Sequence, residues 1–318
     1  MRRALIASIA ALLATGVPAF AQDQTPGSAE QPTVTFKAGV DLVTVSTTVR
    51  DRKGRFVGDL TEKDFEVLDA GHARPIVEFR VEPAPVSIAL LFDVSGSMDV
   101  ASRALAARFA AHHLLSWLEH GRDEAALFAF DSRLHEVAPF TVDTRALQGA
   151  LGEVDPFGAT SLHDAVAETA RRVAERSNRR RAIVVLTDGV DTASRLTPAE
   201  VSGIASAIDV PVYVVAVVMP IDNPDINGRP APEEVTPASA GTMRDLANWT
   251  GGELFYASTP QQTSKVARQV VGELRQQYLI AFEPRDGSGW RPIEIRTKRK
   301  DLVVRARSGY VAGAGRSE

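Results

Sequence analysis

Five oxygen-bearing side chains have the types and spacing for chemistry: Asp93, Ser95 and Ser97 within Asp93-Val94-Ser95-Gly96-Ser97, Thr160 within Phe157-Gly158-Ala159-Thr160-Ser161, and Asp188 within Thr187-Asp188-Gly189. The first cluster follows the apolar run 88–92 and the last follows 183–186, while the Thr160 loop stands just before a helix-like segment. Two carboxylates plus several hydroxyls, with no thiolate and no obvious histidine pair, make an oxygen-only donor set. Hard oxygen donors suit magnesium, with manganese or calcium as alternatives, whereas zinc and copper favour nitrogen or sulfur. Neutral hydroxyl donors leave such a cation much of its charge, which attracts an incoming carboxylate. Taken singly the pieces have plainer readings, since Asp and Ser cap helices without any metal and Asp-Gly is a common turn. Their joint placement at strand ends is what favours a metal.

The elements that must position these residues are legible as hydrophobic patterns. The runs 88–92, 183–186 and 212–218 are apolar on both faces, the pattern of parallel strands covered by helices on each side. Helical periodicity fits 99–119, 143–154, 161–176, 197–208, 242–250 and 261–277, and further strands fit 125–130, 134–140 and 253–256. Alternating strands and helices at this spacing predict an α/β fold, a doubly wound (Rossmann-like) mostly parallel sheet flanked by helices. Ligands of such sheets bind outside the carboxyl ends of the strands, near the point where strand order reverses, and Asp93 and Asp188 stand at such ends.

Strand-like alternation occupies 34–81 before this region, and short strands at 279–282, 293–297 and 302–306 follow it. The simplest arrangement pairs both sets into a small β domain built from the N- and C-terminal strands. The expected boundaries are a signal peptide at 1–21, a flexible leader at 22–32, the N-terminal β unit at 33–85, the α/β domain at 86–277, C-terminal strands at 278–312 and a tail at 313–318.

Asp93-Val94-Ser95-Gly96-Ser97 resembles the Asp-x-Ser-x-Ser motif of von Willebrand factor type A (VWA) domains, and Thr160 and Asp188 fall where that family has its later Thr and Asp. The resemblance covers about residues 86–277. It implies an intact metal-ion-dependent adhesion site (MIDAS) in which Ser95 and Ser97 ligate the ion directly, Thr160 directly in the ligand-competent state, and Asp93 and Asp188 directly or through water. A protein partner's Asp or Glu would complete the coordination. More narrowly, Gly54-Arg55-Phe56-Val57, Asp64-Phe65-Glu66-Val67, Tyr278-Leu279-Ile280 and the 305–310 segment look like the VWFA-related proteins common in Acidobacteria.

A net charge of −4 gives no electrostatic case for nucleic acid. Absence of cysteine removes disulfides, thiolate metal sites and cysteine nucleophiles. Arg2 and Arg3, the apolar stretch 5–14 and Ala19-Phe20-Ala21 read as a cleaved secretory signal. The mature chain is then expected to be exported, periplasmic or extracellular, with no integral membrane segment, and nothing in the sequence bears on oligomeric state. Gly-x-Ser-x-Gly, Walker and dinucleotide motifs are absent, so the expectation is a binding module and not an enzyme. A metal-assisted hydrolase and a structural assembly subunit of the cell envelope are the alternatives. His163, just past Thr160, reads as structural, and Arg179-Arg180-Arg181 as a solvated helix end. The proline-broken connection 220–240 reads as either a mobile surface insertion or a partner-selecting loop.

Overall fold

Alternating patterning before the first proline-rich stretch gives β1 (Val43–Asp51), β2 (Phe65–Asp69), β3 (His72–Arg74) and β4 (Ile76–Arg80). The computed structural model describes residues 42–98, 103–151, 158–188, 191–207, 209–227 and 242–313. The expected signal peptide, the leader, the first residues of the β unit, most of the tail and residues 228–240 of the long connection lie outside them.

The α/β region follows in order: β5 (Val86–Asp93), α1 (Arg103–Ser116), β6 (Glu124–Phe130), β7 (Leu134–Thr141), α2 (Thr144–Ala150), α3 (Leu162–Ala174), β8 (Arg180–Thr187), α4 (Pro198–Ala207), β9 (Val212–Val217), α5 (Pro224–Asn227), α6 (Met243–Thr250), β10 (Leu254–Ala257) and α7 (Pro260–Gln276). Its six-stranded sheet has the order β10-β9-β8-β5-β6-β7, parallel except for the β6–β7 pair. Every residue of β5, β6 and β9 is buried. Alternate side chains of β5 go to opposite layers, Ile88, Leu90 and Phe92 to the core shared with α1, α2 and α7, and Ala89 and Leu91 to the core shared with α3, α4 and α6. Burial on both faces is why these strands read as continuous apolar runs. The chain leaves β5 toward β6 on one side and returns to β8 on the other, so strand order reverses between β5 and β8.

After α7 come β11 (Tyr278–Phe282), β12 (Gly289–Thr297), β13 (Leu302–Ala306) and β14 (Gly309–Ala312). They interleave with the N-terminal strands as two four-stranded sheets, β13-β1-β11-β4 and β14-β12-β2-β3. These enclose a core of Val45, Val49, Phe65, Val67, Tyr278 and Ile280 with their neighbours. The buried Tyr278 hydroxyl donates to the Val57 carbonyl at 2.8 Å and accepts the Leu60 amide at 3.2 Å, which pins the 57–60 loop.

Of the helix expected at 99–119, α1 covers Arg103–Ser116, and 99–102 lie outside the described residues. Two other expectations are corrected. Strand β12 starts four residues earlier than expected, and β14 was not anticipated. The basic run 179–181 is not a solvated helix end: Arg180 is completely buried in β8, where its Nη1 donates to the Leu274 carbonyl at 3.0 Å and also to Arg275, while Nη2 donates to the Glu82 carbonyl at 2.5 Å. Backbone carbonyls take both terminal nitrogens of a charged side chain that composition alone places in water, while its Nε has no hydrogen-bond partner among the described residues. The 220–240 connection opens with a 3₁₀ turn, Pro220–Asp222, and α5. No helix of the described residues is long and apolar enough to cross a membrane.

Candidate metal centre

Asp93 closes β5 and Asp188 follows β8, and these strands pair directly with Phe92 opposite Leu186, so both acids stand at the reversal point. Asp93 is fully buried. Its Oδ1 accepts the Ser95 amide at 2.9 Å, a local turn of the kind that Asp forms with the backbone two residues on. The turn folds 93–97 back on itself and brings the Ser95 and Ser97 hydroxyls to 3.0 Å of each other. Asp93 Oδ2 accepts the Thr187 hydroxyl at 2.5 Å, which ties the end of β5 to the end of β8.

Thr160 comes to the same edge through backbone ties. The Gly96 amide donates to the Gly158 carbonyl at 3.0 Å, and the Thr160 carbonyl accepts the Thr192 and Ala193 amides, each at 2.9 Å. The Thr160 amide in turn donates to the Thr192 hydroxyl at 3.1 Å. Loops far apart in the chain are thus cross-braced around one crevice, with Thr160 and Ser95 buried and Ser97 partly exposed.

The electrostatics leave negative charge incompletely compensated. Burial lifts the Asp93 carboxyl above its ordinary range against the hydrogen bonds from Thr187 and Ser95, and the nearby Asp188 charge pushes the same way. Asp188 has a side chain 3% exposed, and its Oδ1 has no hydrogen-bond partner among the described residues. Its Oδ2 accepts Arg103 Nη1 at 2.9 Å. A buried carboxylate oxygen with no donor is costly unless a cation or water satisfies it. The donor set therefore fits a hard divalent ion: two carboxylates, one with an orphan oxygen, and the hydroxyls of Ser95, Ser97 and Thr160. No group of three or more His, Cys, Asp or Glu side chains suited to a metal occurs among the described residues.

Sequence reasoning missed Arg103, 85 residues from its partner Asp188. It also missed the brace made by Asp191 and Ser194. His163 Nδ1 lies 3.1 Å from Asp191 Oδ2, and the His163 amide donates to Asp191 Oδ2 at 3.1 Å and to Ser194 Oγ at 2.9 Å. Asp191 Oδ1 accepts the Ser194 amide at 3.0 Å. Burial raises the Asp191 carboxyl, but the hydrogen bonds from His163 and Ser194 outweigh it and hold the group below the ordinary carboxylate range. Its folded pKa is thus depressed, so its contribution is present above the unfolded value of about 3.9 and is lost as pH falls below it. Asp191→Ala should cost about 2 kcal/mol at pH 7, because it strands donors of charge-assisted bonds. Urea denaturation checks this, and the gap from wild type should shrink at pH 3.

Residues 88–190 match the family model of the von Willebrand factor type A domain. No curated protein matches the chain. Among solved structures, the chain is similar to BatB from Bacteroides thetaiotaomicron, at 19% identity over 59% of this chain and 98% of that one with a TM-score of 0.46. The PilB minor pilin from Streptococcus sanguinis is 14% identical over 61% of this chain and 62% of its own, with a TM-score of 0.43. A von Willebrand factor type A protein from Catenulispora acidiphila is 12% identical over 87% of this chain and 74% of its own, with a TM-score of 0.46. The match to the von Willebrand factor type A family model spans both β5 and β8, the strands between which the order of the six-stranded sheet reverses.

Proposed function

We propose that this domain is a divalent-cation-dependent protein-binding module, exported from the cell, that engages an Asp or Glu of a partner protein through an intact MIDAS. The observation that carries the reading is that Asp188 Oδ1, on a side chain 3% exposed, has no hydrogen-bond partner among the described residues, at the strand ends where Asp93 is buried, the Ser95 and Ser97 hydroxyls lie 3.0 Å apart and the Gly96–Gly158 bond brings in the Thr160 loop. Asp93, Ser95, Ser97, Thr160 and Asp188 would hold magnesium, with manganese or calcium as substitutes. The bound cation supplies a Lewis-acid position for a carboxylate.

The protein's own groups are suited to holding and not to turnover. Asp93 engages both oxygens with Ser95 and Thr187, so it is fixed in orientation and poorly placed to take a proton from a water. His163, the histidine nearest in sequence to Thr160, is engaged by Asp191. The Ser95 and Ser97 hydroxyls lie on a turn braced by the Gly96–Gly158 bond, which preorganises them and lowers the ordering cost of ligation. Export is supported by Arg2, Arg3, the apolar stretch 5–14 and Ala19-Phe20-Ala21.

Isothermal calorimetry with manganese and magnesium tests the reading. The expected result is one cation per chain in the wild type, weakened at least about tenfold in Ser97→Ala, in keeping with the loss of one direct ligand. Recovery of partners from an envelope extract should depend on magnesium and disappear with chelator or with Ser97→Ala. A wild-type chain that takes up neither cation would remove the basis of the proposal.

A further inference from the structure

Arg103 is the first described residue of α1, and its Nη1 reaches both Asp188 Oδ2 at 2.9 Å and the Ser97 carbonyl at 3.4 Å. Those are two residues of the candidate cation site. The guanidinium therefore places a fixed positive charge where a divalent ion's field is to be felt, and like charges in a partly buried crevice oppose each other. It also supplies what the cation-free site lacks, a counter-charge for a buried carboxylate.

The hold on Arg103 is slight. Among the described residues its contacts to the site run through Nη1 alone, and Nε is buried with no hydrogen-bond partner. A bidentate fork on a carboxylate would use two nitrogens and be far harder to displace. The side chain is 24% exposed, in contrast to 3% for Asp188. It also lines a cavity of about 150 Å³ between the N-terminal parts of α1 and α7, together with Ala106, Phe109, Met219, Ser258 and Thr263. That space is several times the volume of one water, about 30 Å³, and its wall includes the Ser258 hydroxyl. A guanidinium leaving Asp188 has an adjoining place to go without unwinding the helix.

Resting on the cation reading above, we propose that Arg103 is a resident counter-ion that exchanges with the divalent cation. In the cation-free state its guanidinium neutralises Asp188. When a cation is held, the side chain withdraws into the cavity between α1 and α7. Cation affinity is then set by the difference between the two positions of Arg103 as well as by the five oxygen donors, and the cavity shape becomes part of the site.

The test is manganese calorimetry on the wild type, Arg103→Gln, Ala106→Leu and the double variant, each checked for folding by thermal melting in chelator. Glutamine keeps a donor for Asp188 but removes the charge. Arg103→Gln should bind manganese at least about tenfold more tightly than wild type, since a competing cation is gone. Ala106→Leu fills the retreat and should bind several-fold more weakly, whereas the double variant should match Arg103→Gln because nothing then needs the space. Equal affinity in wild type and Arg103→Gln, with Ser97→Ala still defective, would overturn the exchange while leaving the cation site standing. Weakening in both Ala106→Leu and the double variant relative to their parents would assign the effect to packing and overturn the retreat. No manganese uptake by either wild type or Arg103→Gln would overturn the exchange together with the site itself.

Discussion

Glu273→Ala should lower stability by about 3–5 kcal/mol, the range for removing one partner of a buried ion pair and stranding the other charge. Glu273 lies on α7 with a side chain only 3% exposed. It pairs with Arg50 of β1 and with Arg305 of β13. Both arginines also reach Glu253, Arg50 at 2.8 Å, but Glu253 is 29% exposed and shares its charge with solvent. Without Glu273, two largely buried guanidiniums are left with one half-screened acid. The cluster joins strands from both ends of the chain to the last helix of the α/β region. Urea unfolding of Glu273→Ala beside Glu253→Ala checks the argument, with the larger shift in midpoint expected for Glu273. A loss under about 1 kcal/mol would mean that the cluster is solvated and contributes as surface pairs do.

That cluster also marks how far the sequence can be read. The parallel sheet was legible because β5, β8 and β9 are buried on both faces, and short continuous apolar runs between helical segments are the pattern such burial produces. Asp93 and Asp188 were legible as strand-end residues for the same reason, since the end of a buried strand in such a sheet is where ligands bind. What stayed hidden are the partners of charged residues. Arg180 reads as one of three surface arginines, yet it is buried by carbonyls 94 and 95 residues away. Arg103 sits at the start of α1 and carries no local mark of an acid 85 residues on. Periodicity reports which face of an element is apolar. It does not report which distant group meets a polar side chain on that face, and the buried network of Arg50, Glu253, Glu273 and Arg305 arises from just such meetings. β1 shows both sides of this: the alternation of Val45 and Val49 with Ser46 and Thr48 announced a strand. That the polar face also packs, with Ser46 Oγ donating to Asp209 at 2.7 Å, followed only from the tertiary structure.

Gly252→Ala should cost about 3 kcal/mol or more, the upper end for forcing atoms into a closed site. Two glycines turn the chain from α6 into β10. Gly251 is the left-handed cap of α6, with φ of 85° and its amide on the Ala247 and Asn248 carbonyls. The next residue passes against the start of β9. A Cβ on Gly252 would lie 2.5 Å from the Val212 carbonyl carbon and closer still to its oxygen. Neither atom is the end of a flexible side chain, so β9 and β10 must part, and the parallel register that sets Leu254 beside Val214 opens from its first pair. Gly251→Ala should be milder, about 1–2 kcal/mol for the left-handed backbone, plus the strain of a methyl 2.9 Å from the backbone of Ala306 and Arg307. Thermal and urea unfolding of the two variants give the comparison, and a Gly252→Ala chain within about 1 kcal/mol of wild type would show that the strands yield where the packing says they cannot. The damage lies at the amino-terminal edge of the sheet, whereas Asp93 and Asp188 stand at the carboxyl-terminal edge. Whatever fraction of Gly252→Ala remains folded should therefore take up manganese with wild-type affinity, which separates loss of the scaffold from loss of the site.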